Sequence, residues 1–341
     1  MLWARCLFAV FVGLPALSLP TPASPLRGNT AEVGACGSGA TAAVIGGKRT
    51  CLKPGRPCKT RFDRQYRRNG FRCYRGRLTR LATGGGSPLV LRRIDVGGYR
   101  LAIRCQGKGS PTVILESGFD NGGNAWFLVQ PKTARTTRVC SYDRAGLGAS
   151  DPRKPPGPPP ASRIVEELHT LLSRARIATP YVLAGHSYGA FFARLYTKRY
   201  PDEVAGLVTV DGSPLGLDPA PPDADLVQGQ GEAYYVAAAN DELAAAPGLG
   251  SRPLIVLTRG RAELSPELET SWLQDQIRVS HLSNDSLLVR VDNSGHGIQE
   301  ENPDIVVEAL RQAVIAVRKG VPLPPCTGTT LPHLAGTCLG S

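Results

Sequence analysis

Beyond its first 24 residues this 341-residue chain has no apolar run long enough to cross a bilayer. It has no Cys-x-x-Cys pair, so the cysteine spacing does not support a zinc site. It has no Gly-rich loop ending in Gly-Lys-Ser/Thr, which removes the class that cradles phosphate. No metal cluster and no internal repeat is visible, and no cofactor is expected. Acidic residues are scarce in one place: residues 26–85 hold 14 Lys/Arg against 2 Asp/Glu, while residues 86–341 hold 25 against 26. The net charge of +12 therefore belongs to a separate N-terminal piece.

What is present sorts into segments. Residues 1–24 read as a secretory signal: Arg5, an apolar stretch from Leu7 to Leu14, then small residues, with cleavage after Ala23 or near Ala16. Residues 25–81 read as a small basic module, and residues 82–88 as a Gly-rich linker. The remainder alternates strand-like and helix-like runs up to about residue 320. A Pro/Gly-rich tail, 321–341, follows.

Cys6 lies in the signal, which leaves an even set: Cys36, Cys51, Cys58, Cys73, Cys105, Cys140, Cys326 and Cys338. An even count in an exported chain suggests disulfides. The simplest partition pairs them within three groups, four in the module, two in the sheet region and two in the tail. The connectivity of the first four stays open. The module is too small to bury much core, so staples would compensate. Val44 to Leu52 reads as a hairpin around Gly46-Gly47. Phe62, Tyr66 and Phe71 sit among arginines, a surface suited to an anionic cell-envelope polymer, with no obligate nucleic-acid role.

The chemistry gathers at Tyr181-Val182-Leu183-Ala184-Gly185-His186-Ser187-Tyr188-Gly189-Ala190. An apolar strand runs into Gly-x-Ser-x-Gly and then into a helix. A serine on so sharp a turn needs neighbours without side chains, and the following helix aims N–H groups at the same spot. Ser187 is the candidate nucleophile. The base is His296, in Asn293-Ser294-Gly295-His296-Gly297, after a strand and before the last helix. His186 neighbours the serine in sequence, and its ring is expected to point elsewhere.

These motifs resemble the α/β-hydrolase superfamily over roughly residues 88–320. Besides Gly185 to Gly189 and Gly295-His296, the match includes Asp143-Arg144-Ala145-Gly146-Leu147-Gly148-Ala149-Ser150, all in the superfamily's chain order. The resemblance implies an α/β fold with a mostly parallel twisted sheet, helices on both faces and a short lid at about 212–250. It implies an oxyanion hole from the backbone N–H groups of Tyr188 and Phe119, although Ser117-Gly118-Phe119 departs from the usual His-Gly-x. It also places the strands of Cys105 and Cys140 side by side, which favours pairing them.

The third triad member is where the pattern breaks. Most of the superfamily carries its acid after the strand that here ends at Thr258, and Thr258-Arg259-Gly260-Arg261-Ala262-Glu263 has no aspartate. Asp211, after Val208-Thr209-Val210, is favoured; Glu263 is the alternative acid, and Asp292 and Asp143 are weaker candidates. The expected function is a secreted serine hydrolase acting on a small-molecule carboxylic ester or related acyl bond through an acyl-enzyme. A peptidase or lactonase with the same triad, or an inert cell-envelope binding protein acting through residues 26–85, is the alternative. Epoxide hydrolases and haloalkane dehalogenases of this fold need a carboxylate at the turn and are disfavoured.

Overall fold

A computed structural model describes residues 40–339, apart from 63–64, 67–68, 70, 75, 81–88, 219–225, 230 and 247. The signal segment, Cys36, the linker and part of the lid lie outside the described residues. The chain divides into two units, Met1–Ala82 and Thr83–Ser341.

The first unit is built from two hairpins. Strands β1 (Thr41–Ile45) and β2 (Lys48–Leu52) pair antiparallel with Ile45 opposite Lys48. The two turn glycines take φ of +57° and +75°, the left-handed conformation that a two-residue hairpin turn requires. Strands β3 (Phe71–Tyr74) and β4 (Arg77–Arg80) form the second hairpin. Its core is small: Ile45, Leu52, Tyr66, Phe71 and Leu78. Two of the three aromatics expected on the basic surface, Tyr66 and Phe71, are thus buried instead, packing as the apolar filling that so small a module needs. A disulfide joins Cys58 to Cys73, and Cys51 is disulfide-bonded as well.

The second unit carries one nine-stranded sheet. Its strands are β5 (Val90–Asp95), β6 (Arg100–Gln106), β7 (Thr112–Glu116), β8 (Val139–Asp143), β9 (Tyr181–His186), β10 (Val204–Val210), β13 (Leu254–Arg259), β14 (Ser286–Val291) and β15 (Gly336–Cys338). Between β10 and β13 the lid contributes a separate hairpin, β11 (Leu226–Gln228) and β12 (Ala233–Tyr235). The spatial order is β15-β14-β13-β10-β9-β7-β8-β6-β5. The six strands from β8 to β14 in that order run parallel; β5, β6 and β15 join through antiparallel pairings. Every residue of β7, β8, β9 and β13 is buried. That is the reason these strands read as continuous apolar runs: helices cover both faces.

One face packs on helices α1 (Ala161–Arg174) and α2 (Tyr188–Arg199). The lid adds α3 (Ala237–Ala244) to this side, and α4 (Pro266–Ser280) packs on β13 and β14. The other face packs on α5 (Pro303–Lys319), whose stripe Ile305, Val306, Ala309, Leu310, Ala313 and Val314 is buried. Asn302 caps α5 and Gly320 ends it in the left-handed conformation.

Two features differ from the sequence reading. The run from Asn124 to Thr133, helix-like in sequence, folds as two short helical turns, Gly123–Trp126 and Gln130–Thr133. Pro131 is tolerated only in a first helical turn, so it starts a helix there instead of continuing one. The tail is also part of the sheet. Strand β15 pairs antiparallel with β14 and a disulfide ties its Cys338 back to Cys326, and the Leu331 side chain is fully buried in the core below. Cys105 and Cys140 face each other across the β6–β8 pair and are bonded.

Candidate active site

The candidate site sits at the carboxyl ends of β7, β9, β10 and β13, where the chain leaves each strand. Ser187 lies between β9 and α2 with φ +54° and ψ −125°, a conformation that non-glycine residues rarely adopt. The surrounding glycines show why it persists. A Cβ on Gly185 would lie 2.4 Å from the backbone of Gly189 and Ala190, and one on Gly189 would lie 2.4 Å from the Glu116 carbonyl. The Ser187 N–H donates to the Val210 carbonyl at 3.2 Å, and the Ser187 carbonyl accepts from Ser213 N–H at 2.9 Å. The elbow is thus tied to β10, the strand that ends at Asp211.

Gly118 passes directly over the elbow: a Cβ there would stand 3.2 Å from Ser187 Cβ and 2.8 Å from His186 Nδ1. This puts Phe119, one expected oxyanion donor, beside Tyr188, the other; their rings are 5.6 Å apart. Ser117 is buried, and its hydroxyl donates to the Gly122 carbonyl, closing the loop after β7. Tyr234, from β12, closes an aromatic wall against Phe119, Tyr188 and Phe192 at centroid separations of 5.1–6.1 Å. Burial pushes the Tyr188 hydroxyl above the ordinary tyrosine range and the Tyr234 hydroxyl well above it. Both rings therefore present neutral phenols.

His296 Nδ1 donates to Asp211 Oδ2 at 2.6 Å. Asp211 has no exposed surface and a φ of +44°. Around its carboxylate stand Arg259 N–H (3.0 Å), Arg259 Nη1 (2.8 Å) and Trp272 Nε1 (2.9 Å). Burial alone would raise the Asp211 carboxyl, but the His296 hydrogen bond and the Arg259 charge hold it below the usual carboxylate range.

Glu263 stands elsewhere. Its Oε2 accepts from the backbone N–H of His296 at 3.0 Å, so it supports the loop and leaves the ring to Asp211. The Asp143 carboxylate accepts from Gly123 and Ala149 N–H and from Arg104. Asp292 binds Arg290 and Thr337.

The geometry also brings in residues that the sequence reading passed over. His186 points at the candidate base: its Nε2 lies 2.9 Å from the His296 carbonyl and the two rings are 4.7 Å apart. The loop between β14 and α5 folds back over β9, and the ring meets the backbone of that loop. Burial pushes His186 down to about 4, so it is neutral near pH 7. A neutral ring facing a carbonyl carries its proton on Nε2, and its Nδ1, buried and unpartnered, is left as a bare acceptor. Arg259, Trp272 and Arg144 were likewise missed. Among the described residues no group of three or more His, Cys, Asp or Glu is placed to hold a metal ion.

Comparison with known proteins agrees with this architecture. Residues 111–265 match the family model described as the alpha/beta hydrolase fold. The chain is 25% identical over 215 residues to the uncharacterized protein YqjL of Bacillus subtilis, covering 60% of this chain and 84% of that one. It is 31% identical over 114 residues to a (lyso)-N-acylphosphatidylethanolamine lipase of Bos taurus, covering 32% of each. A thermophilic esterase of Thermogutta terrifontis superposes with a TM-score of 0.51 at 20% identity, covering 68% of this chain and 99% of the esterase. At that identity the last match speaks for the fold alone.

Proposed function

We propose, for a chain that belongs through residues 111–265 to the α/β-hydrolase superfamily and is a hydrolase by that membership, that it is a serine hydrolase that cleaves a carboxylic ester. The carrying observation is the strained Ser187 just past β9 together with the His296–Asp211 pair over the adjacent strands.

In this reading Ser187 Oγ attacks the acyl carbonyl carbon and His296 Nε2 takes its proton. Asp211 keeps the other ring nitrogen protonated and stabilises the imidazolium that forms. The N–H groups of Tyr188 and Phe119 receive the developing oxyanion. His296 then returns the proton to the leaving alcohol. Water repeats the sequence in reverse and frees Ser187. A hydroxyl at the turn forms an ester with the acyl group; the dehalogenase route needs a carboxylate there. The short lid at about 212–250 favours small or medium acyl groups.

The disulfides fit an oxidising compartment, and we place the chain outside the cytoplasm, secreted or attached to the cell envelope. The basic module 26–85, where Arg61 lies over the Phe62 ring at 4.9 Å, would then hold an anionic envelope polymer.

Hydrolysis of p-nitrophenyl acetate by the oxidised protein tests the reading. Ser187→Ala and His296→Ala should each lower kcat by about three to six powers of ten, and Asp211→Asn by about four. Equal rates in all four proteins would sink it.

A further inference from the structure

Arg259 ends β13, and Asp211 follows β10, its parallel neighbour. The register sets Val210 opposite Leu257, so the next step brings Asp211 beside Thr258 and Arg259. Arg259 meets the carboxylate twice: its backbone N–H donates to Oδ1 at 3.0 Å and its Nη1 to Oδ2 at 2.8 Å. The same Oδ2 accepts from His296. Two directional donors on different oxygens fix the plane of a carboxylate, and with it the lone pair that meets the imidazole.

The guanidinium is held in turn. Glu269, on α4, accepts from Nε at 3.1 Å, and the Trp272 ring lies 4.4 Å beneath it. Its side chain is 4% exposed, and Nη2 is buried without a partner. A buried cation with an unmade hydrogen bond is a cost that packing does not require. It is explained if the charge is needed where it stands.

We infer that Arg259 is a positioning residue for the His296–Asp211 pair: its two N–H groups set the carboxylate plane, and its charge keeps Asp211 anionic. The inference rests on the serine-hydrolase reading for its kinetic consequence only.

The groups that face Asp211 are few. β13 supplies Arg259 and the Thr258 hydroxyl at 3.4 Å, α4 supplies Trp272 and, through Arg259, Glu269, and the loop after β14 supplies His296. His186, neutral, lies behind His296 from β9. The charge of Glu269 is already spent on Arg259 and on the N–H groups of Glu263 and Leu264. With the Arg259 side chain removed, no cation stands beside Asp211, and burial acts against the hydrogen bonds from His296, Trp272, Thr258 and the backbone N–H of residue 259 only. A carboxylate held low supports the base above its own titration and fails as pH falls through it. Raising that point makes the failure begin at a higher pH.

The test uses the whole protein labelled with 13Cγ-aspartate, the Asp211 signal being assigned by its loss in Asp211→Asn. In the wild type this signal should stay at the ionised position to the lowest pH at which the protein is folded. In Arg259→Met it should move to the protonated position at least about one pH unit higher, and Arg259→Lys should restore most of the difference. The acidic limb of kcat/KM should move up by the same amount, with KM unchanged. Should Arg259→Met fail to fold, Arg259→Gln, an uncharged donor, carries the same comparison. An Asp211 signal that titrates alike in wild type and variant overturns the inference, as does a loss of kcat/KM by one factor at every pH. If no Ser187-dependent turnover exists, the serine-hydrolase reading falls, and the carboxyl titration still decides the role of Arg259.

Discussion

Two buried arginines stand at the same edge of the sheet, each between carboxylates, and they are finished differently. Arg144, just past β8, uses every donor. Nη1 reaches Glu116 at 2.5 Å and the Ser117 carbonyl at 2.8 Å. Nη2 reaches the Gly118 carbonyl at 2.7 Å and Glu232 at 2.6 Å, and Nε reaches Glu232 at 2.8 Å. Glu232 comes from the lid and also accepts from Asp120 N–H, while Asp120 Oδ1 accepts from the N–H groups of Gly231 and Glu232. The result is a closed knot joining β7, the Ser117–Asn121 loop and the lid. Arg259 leaves one nitrogen unpaired and shares its carboxylate with a histidine. A satisfied knot rigidifies; the Arg259 guanidinium instead divides its bonds between Glu269 and the carboxylate that meets His296. In the proposed reading the first arginine fixes where an oxyanion would be received, the second how His296 is held.

Breaking the knot should cost the most stability. Arg144→Met leaves Glu116 and Glu232 buried without their cation, and about 3–5 kcal/mol of unfolding free energy should be lost. Urea unfolding reads this directly, and a loss under about 1 kcal/mol would mean the knot is ornamental. Burial raises the Glu116 carboxyl even against Arg144, so protonation of Glu116 gives the variant a partial escape. The loss should therefore shrink as pH falls toward 5.

A change of geometry that leaves both arginines alone separates positioning from stability. Gly118→Ala would push a methyl to 2.8 Å from His186 Nδ1 and 3.2 Å from Ser187 Cβ. Turnover should fall about 100-fold, the scale of losing one oxyanion donor, while thermal unfolding shifts by a few degrees. Full activity would show that the loop has room to move. The smallest expected effect is Glu232→Gln. It keeps the shape and removes one charge from the lid side of the knot, for about 1–2 kcal/mol in unfolding. KM should rise while kcat is nearly kept, because Glu116 and three carbonyls still hold Arg144. An unchanged KM would detach the lid from substrate binding.

What could be read from the sequence was local. The Gly-x-Ser-x-Gly turn, the Gly46-Gly47 hairpin and the buried runs of β7, β9 and β13 are each set by neighbours within a few residues. The contest between Asp211 and Glu263 could not be settled that way, since both follow strands and both lie near His296. It turns on the β10–β13 register, which carries Arg259 to Asp211 across 48 residues of sequence. Glu232 and Arg144 are 88 residues apart and meet only because the lid folds back over β8. His186 was set aside on the strength of its sequence neighbour, yet its ring meets the loop of His296, 110 residues later. Partnerships made by strand order leave no pattern in a single sequence.

The short strand β15 sets a limit on how this domain can be trimmed. Thr337 binds Asp292, the Ala335 carbonyl accepts from Asp292 N–H, and Asn302 reaches the Leu334 carbonyl. A chain shortened after Lys319 would keep Ser187, Asp211 and His296 but leave β14 as a bare outer strand. A row of free N–H and C=O groups next to the base's own loop is a template on which a second molecule can add a strand. Such a shortened protein should come off a sizing column as higher oligomers, and its loss of activity would then reflect self-association at the sheet margin more than damage to the chemistry.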